Sequence, residues 1–228
     1  MTLVMFASSE ELASIIDHTR LKADTSEQDI RNLCREAVQY GFHAVCIPPY
    51  FLAEAGKALK KSSVKLCTVV GFPYGWQTKY SKQFEALEGL KNGAAELDIV
   101  MNVAAVKSGN YKDAKAELKE VMERTRECLH KVIIEISLLD EKELNKVIDM
   151  MNDLKPAFVK TSTGAYGPAT PEEVVLLRKT LQSGIGIKAA GGIRTYETVK
   201  RMREAGAARI GTSTGVRIIE EYLASENK

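Results

Sequence analysis

Residues 157–195 have the sequence AFVKTSTGAYGPATPEEVVLLRKTLQSGIGIKAAGGIRT. Two short apolar runs, Ala157–Lys160 and Ile185–Ala190, flank the helical pattern Pro171–Leu181. Thr170 is a good capping residue for that helix, and a proline at the first helical position favours the start. Short apolar runs bounded by glycine or polar residues are typical of buried parallel strands. The stretch therefore predicts one strand–helix–strand unit of a parallel sheet.

The same alternation extends to both ends of the chain. Six further runs are predicted as strands: Ile16–Thr19, Ala44–Ile47, Leu66–Gly71, Leu97–Met101, Val132–Ile136 and Ala208–Gly211. The helical patterns around them are Glu10–Ile15, Ser26–Tyr40, Lys79–Asn92, Tyr111–Leu129, Glu141–Leu154, Thr195–Ala205 and Val216–Leu223. Eight strands alternating with helices predict an α/β protein, a (β/α)8 TIM barrel with a short N-terminal capping helix and its active site at the carboxyl ends of the strands.

No linker or low-complexity segment interrupts the sequence, so residues 1–228 are expected to form a single domain. A doubly wound open sheet is the alternative fold. It is less favoured because no glycine fingerprint follows the early strands; the glycines cluster after the seventh and eighth strands, where barrels commonly bind phosphate.

The composition argues against nucleic-acid and membrane partners. The net charge is +2, and hydrophobic and charged residues make up 45% and 27% of the chain, as in ordinary globular proteins. Neither a signal peptide nor a run of about 20 apolar residues is present. The four cysteines have no C-x-x-C spacing, which favours buried reduced thiols. We therefore expect a cytoplasmic protein.

Two lysines at strand ends are the first candidates for chemistry. Strand alternation places Lys160 on one face with Phe158, and Lys188 on one face with Gly186 and Ala190. Both side chains should point into the barrel from neighbouring strands about 4.8 Å apart. Burial and like charge both lower a lysine's pKa, and a neutral amine is a nucleophile. A single strand-end lysine is more often a solvated surface group, but two on adjacent strands favour a functional pair.

Asp98 is the third candidate for chemistry. Strand alternation places Asp98 and Val100 on one face and Leu97 and Ile99 on the other, so Asp98 should point into the barrel. A carboxylate within an apolar strand is costly unless it is paired, and lysines across the barrel would pair it. A purely structural ion pair is the alternative for Asp98.

Glycine-rich loops follow the last two strands. Ala189–Thr195 runs from a strand into a helix, Arg209–Gly215 repeats the arrangement, and Thr161–Gly164 adds hydroxyls after Lys160. Glycines let backbone N–H groups approach an anion, and a helix N-terminus attracts it. One glycine pair is usually a plain turn, but two such loops on consecutive units indicate a phosphate site.

Four segments together resemble the signature segments of the deoxyribose-phosphate aldolase family. They occur in the family's order and span nearly the whole chain: Ile16-Asp17-His18-Thr19, residues 96–102 (ELDIVMN), residues 158–164 (FVKTSTG) and residues 188–194 (KAAGGIR). The resemblance implies a class I aldolase that needs no metal or other cofactor. It implies reversible cleavage of 2-deoxyribose 5-phosphate to glyceraldehyde 3-phosphate and acetaldehyde. The expected partners are therefore a small phosphorylated sugar and aldehydes, and the chain is expected to form a homodimer or homotetramer.

The resemblance also assigns roles. Lys160 matches the Schiff-base lysine, Lys188 the neighbour that lowers its pKa, and Asp98 the acid that relays protons through water. The substrate and its phosphate would be bound by Asp17, Thr19, Lys22, Cys46, Thr161, Gly164, Gly191, Gly192, Arg194, Gly211, Thr212 and Ser213.

This sequence departs from the family's pattern at three places. Ala165 stands where many members have a lysine that holds phosphate, and Pro48 stands where asparagine is more usual. Many members end in a tyrosine on a tail that assists proton transfer, whereas this chain ends Ser225-Glu226-Asn227-Lys228. The first departure bears on phosphate affinity and the third on turnover.

Two other functions stay open from the sequence. One is a related Schiff-base barrel aldolase acting on another phosphorylated sugar, which Ala165 would suit. The other is a non-catalytic barrel that binds a phosphosugar. A zinc aldolase or a histidine-based isomerase is disfavoured, because only His18, His43 and His130 exist and they do not cluster.

Overall fold

Eight parallel strands form a closed barrel in the computed structural model, which describes residues 6–226. Each strand pairs with the next in sequence order, and the eighth pairs with the first. The predicted TIM barrel is thus confirmed. The strands are β1 (Ile16–Thr19), β2 (Ala44–Ile47), β3 (Lys65–Val70), β4 (Glu96–Val100), β5 (Leu129–Ile133), β6 (Phe158–Lys160), β7 (Gly186–Ala190) and β8 (Arg209–Thr212).

Helices surround the barrel. They are α1 (Ser9–Ala13), α2 (Glu27–Tyr40), α3 (Leu52–Leu59), α4 (Lys79–Lys91), α5 (Val103–Lys107), α6 (Tyr111–Arg124), α7 (Glu141–Leu154), α8 (Pro171–Thr180), α9 (Tyr196–Glu204) and α10 (Gly215–Glu226). The short α1 precedes β1 and so lies at the amino-terminal edge of the barrel, as predicted. Two 3-10 turns, Pro49–Phe51 and Ile136–Leu138, follow β2 and β5.

Capping residues fix where several helices begin. The side chains of Ser26, Asp140 and Thr170 each accept a backbone hydrogen bond at the start of α2, α7 and α8. The carboxylate three residues later accepts one from the backbone N–H of the capping residue. These reciprocal bonds satisfy backbone N–H groups that have no partner within the helix. Gly41 ends α2 with a φ of 70°, a conformation that glycine adopts at little cost.

The fifth unit differs from the prediction. Helix α6 ends at Arg124, earlier than the predicted Leu129, and β5 starts at Leu129 where Val132 was expected. The apolar criterion failed because His130 and Lys131, both buried in the strand, are polar. The prediction also omitted α3 and α5. Other strand ends agree to within one residue.

The apolar core lies mainly between the strands and the helices, whereas charged side chains fill much of the barrel interior. A small separate cluster of Ala44, Cys46, Cys67 and Val69 occupies the inner face of β2 and β3. Within residues 6–226, none of the helices has the length and hydropathy needed to cross a bilayer. Of the chain ends discussed above, residues 1–5 and Asn227-Lys228 lie outside the described residues.

Candidate active site

Lys160 and Lys188 meet one carboxylate inside the barrel. They are register partners on β6 and β7, and both side chains are buried. Asp98 reaches them from β4, with its Oδ2 atom 2.8 Å from each Nζ. Strand alternation predicts that all three point inward, and the structure brings them into direct contact.

A third lysine, which the sequence analysis missed, binds the other side of this carboxylate. Lys131 Nζ lies 2.8 Å from Asp98 Oδ1 and 2.6 Å from Glu96 Oε2, and 3.5 Å from Asp17 Oδ2. The register places Lys131 directly opposite Asp98, so its side chain shares the inward face. The predicted fifth strand began at Val132, three residues too late, and so left Lys131 outside the strand. A strand starting at Leu129 would have revealed it.

Asp17 and Arg209 complete the network. Asp17 accepts hydrogen bonds from Lys188 at 2.5 Å and from Arg209 at 2.9 Å. The Arg209 guanidinium also lies 3.5 Å from Glu96 and over the ring of Phe158, 5.1 Å from its centroid. The buried network thus joins four cationic side chains to three carboxylates: Lys131, Lys160, Lys188 and Arg209 with Asp17, Glu96 and Asp98.

Burial and charge act in opposite directions on the carboxyl groups. Burial alone would raise the pKa of Asp98, but Lys131, Lys160 and Lys188 outweigh it and hold that pKa well below its usual range. Burial likewise opposes the effect of Lys188, Lys131 and Arg209 on Asp17, whose pKa is also lowered. Both groups are therefore carboxylates at neutral pH.

The sign of the shift at Lys188 differs from the expectation for a buried lysine beside another lysine. Burial lowers the pKa of Lys188, but the carboxylates of Asp17 and Asp98 more than reverse this and raise it above its ordinary value. The pKa of Lys131 is raised for the same reason, again against the effect of burial. The expectation from sequence took into account the ammonium group of the neighbouring lysine but not the second carboxylate, that of Asp17. Lys188 and Lys131 therefore remain cations at neutral pH.

A cavity of about 790 Å³ opens over this network at the carboxyl ends of the strands. Lys160 lines it, whereas Lys188 and Asp98 lie beneath it. The candidate residues that border the cavity are Thr19, Lys22, Lys160, Gly164, Gly191, Gly192, Arg194, Gly211, Thr212 and Ser213. The candidates Asp17, Cys46 and Thr161 are buried below or behind its wall.

The loops after β6 and β7 form one side of the cavity. Gly164, Gly191 and Gly192 all have positive φ, between 70° and 105°. A Cβ on Gly192 would come within 2.7 Å of Pro168, so a larger residue does not fit there. Thr161 fixes the base of these loops, since its hydroxyl donates to Ala190 O at 3.1 Å. The loops can therefore present backbone N–H groups to an anion.

Glu135, which sequence reasoning placed in the fifth strand, instead holds the loop after Lys160. It adopts a left-handed conformation with φ of 48°, and its Oε2 atom accepts from the backbone N–H of Thr163 at 3.0 Å and from the Thr163 hydroxyl at 2.5 Å. A conformation this rare outside glycine is costly and is commonly retained where a site requires it.

The three histidines do not converge. His18 lies at the edge of the cavity with its Nε2 atom 2.7 Å from Glu36, and burial lowers its pKa. His43 pairs with Glu96 at 3.0 Å, and the Nε2 of His130 lies 2.9 Å from the Thr125 hydroxyl. Each histidine thus has its own structural partner.

A buried lysine network beneath a cavity at the carboxyl end of a TIM barrel is typical of an enzyme acting on a carbonyl compound. Comparison with known proteins gives the class. Residues 12–220 match the family described as DeoC/LacD family aldolase. The chain therefore belongs to the DeoC/LacD family of aldolases, which are carbon–carbon lyases.

Curated relatives make the class more specific. The deoxyribose-phosphate aldolase of Geobacillus sp. (strain WCH70) is 46% identical over 218 residues, covering 95% of this chain and 98% of the relative. That of Thermococcus gammatolerans is 48% identical, covering 92% and 96%. Among solved structures, the tetrameric deoxyribose phosphate aldolase from Aeropyrum pernix has a TM-score of 0.88 at 35% identity, covering 97% of this chain and 94% of that one.

Proposed function

We propose that this chain is a class I aldolase that reversibly cleaves 2-deoxy-D-ribose 5-phosphate to D-glyceraldehyde 3-phosphate and acetaldehyde through a Schiff base on Lys160. Its cellular role would be the catabolism of deoxyribose and deoxyribonucleotides in the cytoplasm. The relatives named above support the substrate. The position of Lys160, the one lysine of the network that both contacts Asp98 and lines the cavity, supports the mechanism.

The number of carboxylates that each lysine contacts supports Lys160 as the nucleophile. Lys188 contacts two carboxylates and Lys131 contacts three, whereas Lys160 contacts Asp98 alone. If Lys160 gives up its proton, three cations remain for three carboxylates. Neutral Lys160 is then the nucleophile, and Lys188 keeps its charge and its bond to Asp98.

The reaction proceeds in balanced steps. The Lys160 amine adds to the C1 aldehyde of the open-chain sugar, and loss of water gives a protonated imine. This cation draws the electrons of the C2–C3 bond as it breaks, while the C3 hydroxyl loses its proton and becomes the aldehyde of glyceraldehyde 3-phosphate. The enamine left on Lys160 takes a proton at C2, and water then releases acetaldehyde. Asp98, through a water, would carry the protons.

The phosphate would bind at the loops after β6, β7 and β8. Gly164, Gly191 and Gly192 offer backbone donors, Ser213 lies two residues before α10, and Arg194 provides a cation at the cavity edge. Because Ala165 provides no ammonium group, this phosphate site would depend on the backbone more than that of many relatives.

We also propose that residues 1–228 act as one domain and assemble into a homodimer or homotetramer. The tetrameric relative from Aeropyrum pernix supports an oligomer. The proposed partners are the phosphorylated sugar and aldehydes, with no nucleic acid or membrane.

Borohydride trapping with acetaldehyde tests the Schiff base. The protein should gain one ethyl group, which peptide mapping places on Lys160, and Lys160→Met should gain none. Lys22→Met is the matched control, because Lys22 borders the same cavity and its loss should leave the adduct in place. An unmodified but folded wild-type protein would contradict the mechanism and favour a phosphosugar-binding barrel. If the protein forms the adduct on Lys160 but, without borohydride, does not cleave 2-deoxyribose 5-phosphate, an aldolase for another phosphorylated sugar is favoured.

A further inference from the structure

Two thiols and a carboxylate meet on the inner face of β2, β3 and β4. Cys46 and Cys67 are register partners on neighbouring strands, and both are buried free thiols. Cys67 Sγ lies 3.3 Å from Asp98 Oδ1, and Cys46 Sγ lies 3.9 Å from Asp98 Oδ2. One ligand atom from each of the three residues lies within 4.8 Å of the others.

We infer that Cys46, Cys67 and Asp98 form a binding site for a thiophilic divalent metal ion such as Zn²⁺ or Cd²⁺, and that its occupation inhibits the enzyme. A tetrahedral Zn²⁺ holds thiolate sulfur at about 2.3 Å and carboxylate oxygen at about 2.1 Å, so these ligand atoms lie about 3.6 Å apart. Each thiol is close to that spacing from one carboxylate oxygen, Cys67 at 3.3 Å from Oδ1 and Cys46 at 3.9 Å from Oδ2 of Asp98. The three ligand atoms, which lie within 4.8 Å of one another, would draw together to enclose an ion.

The charge balance permits a divalent ion in this positively charged surrounding. Each thiol loses its proton to solvent as its sulfur binds the ion, so the two thiolates offset the two charges that enter. The network's net charge is therefore unchanged. Thiolate ligands also select Zn²⁺ and Cd²⁺ over Mg²⁺ and Ca²⁺, which prefer oxygen.

The same geometry makes the ion an inhibitor. Both oxygens of Asp98 already accept hydrogen bonds from ammonium groups, and Lys131 Nζ lies only 3.2 Å from Cys67 Sγ. An ion that binds Asp98 and Cys67 must compete for the carboxylate with the ammonium groups of Lys131, Lys160 and Lys188. Displacement of any of these groups disrupts the ion pairs of the carboxylate that would relay protons for Lys160, so the inhibitory half of the inference rests on the proposed function; the binding half does not.

The site lies behind the wall of the cavity. Leu21 and Phe72 border the cavity and also pack against the thiol cluster. An ion must pass these two side chains, so binding is expected to be slow and to need incubation before each reading.

Cadmium titration of the metal-free protein tests the site directly. Thiolate–Cd²⁺ bonds absorb in the near ultraviolet, and equilibrium dialysis counts the ions. We expect one ion per chain and a charge-transfer band that Mg²⁺ does not produce. Cys67→Ser and Cys46→Ser should each weaken binding more than about tenfold, while the band survives in Cys34→Ser and Cys128→Ser, which remove the other two buried thiols.

Two results would overturn the site: no band in the wild-type protein, or a band that persists when Cys46 and Cys67 are both serine. Circular dichroism identifies any variant that fails to fold, and the two single variants test the site independently. Inhibition is measured as the Cd²⁺-dependent loss of cleavage rate and its recovery with EDTA, each relative to the variant's own metal-free rate. Metal-free borohydride trapping tests the proposed function separately, because it does not depend on Cd²⁺.

Discussion

Lys160 and Lys188 are opposite each other on adjacent strands, and a single oxygen atom, Asp98 Oδ2, lies 2.8 Å from both ammonium groups. Two like charges this close would repel strongly in a buried site, and the shared carboxylate offsets that repulsion. Of these two lysines, only Lys188 also contacts a second carboxylate, that of Asp17. This asymmetry distinguishes the two lysines: Lys188 is held as a cation at neutral pH by two carboxylates, and Lys160 faces the cavity with one partner.

Removing Lys131 should destabilise the fold. Lys131→Met leaves Asp98, Glu96 and Asp17 with one cation fewer, and breaking a buried ion pair costs about 3–5 kcal/mol. Urea unfolding of the variant measures the loss. Lys115→Met is the control, because Lys115 pairs with Asp153 at the surface, and it should change stability little. Equal losses in the two variants would contradict the structural role of Lys131.

The same variant tests the charge balance. Without Lys131, three cations face three carboxylates while Lys160 still carries its proton, so the network no longer has a proton in excess. Borohydride trapping of Lys160 at pH 7 should therefore be slower in Lys131→Met than in the wild-type protein under conditions where both are folded. Trapping at the wild-type rate would contradict this account of how Lys160 becomes neutral.

Stability should fall in acid. The pKa values of Asp17 and Asp98 are lower in the folded protein than in the unfolded chain, where an aspartate titrates near 3.9, so the unfolded state binds more protons as the pH drops. The stabilisation is complete above about pH 5 and is lost as the pH falls towards the folded-state values. Urea midpoints between pH 6 and pH 3 measure this slope. Asp17→Asn should have a shallower slope, whereas Asp24→Asn, at an exposed position, should retain it.

A lysine at position 165 should improve phosphate binding. Ala165 borders the cavity beside Gly164, so an ammonium group there could contact the phosphate. Ala165→Lys should lower KM for 2-deoxyribose 5-phosphate by up to about fivefold, the effect of one exposed ionic contact of about 1 kcal/mol. KM for unphosphorylated 2-deoxyribose should not change. A similar change with both sugars would place the effect outside the phosphate site.

The sequence predicted the barrel and the inward lysines because period-2 alternation is a local property of each strand. The convergence of Lys131, Asp17 and Arg209 is not local, since these residues come from β5, β1 and β8 and meet only when the barrel closes. The short helix α3 was missed for a local reason, because Gly56, a residue unfavourable inside a helix, lies in the middle of its eight residues. Glu135 was assigned to a strand because the apolar residues around it resemble one.

Two glycine substitutions should have opposite effects on stability. Gly211 lies on β8 where an added Cβ would be 3.0 Å from Ala190 Cβ and 3.1 Å from Lys188 Cε, so Gly211→Ala overpacks the barrel beside Lys188. We expect a loss of about 1–3 kcal/mol and reduced cleavage activity. Gly56 lies inside α3, where an added Cβ would meet only Leu66 at 3.8 Å, so Gly56→Ala should stabilise the protein by up to about 1 kcal/mol and leave activity unchanged. Urea unfolding and cleavage assays on both variants measure the difference. If Gly211→Ala were as stable and active as the wild-type protein, the tight approach of β8 to Lys188 would not be required for the active site.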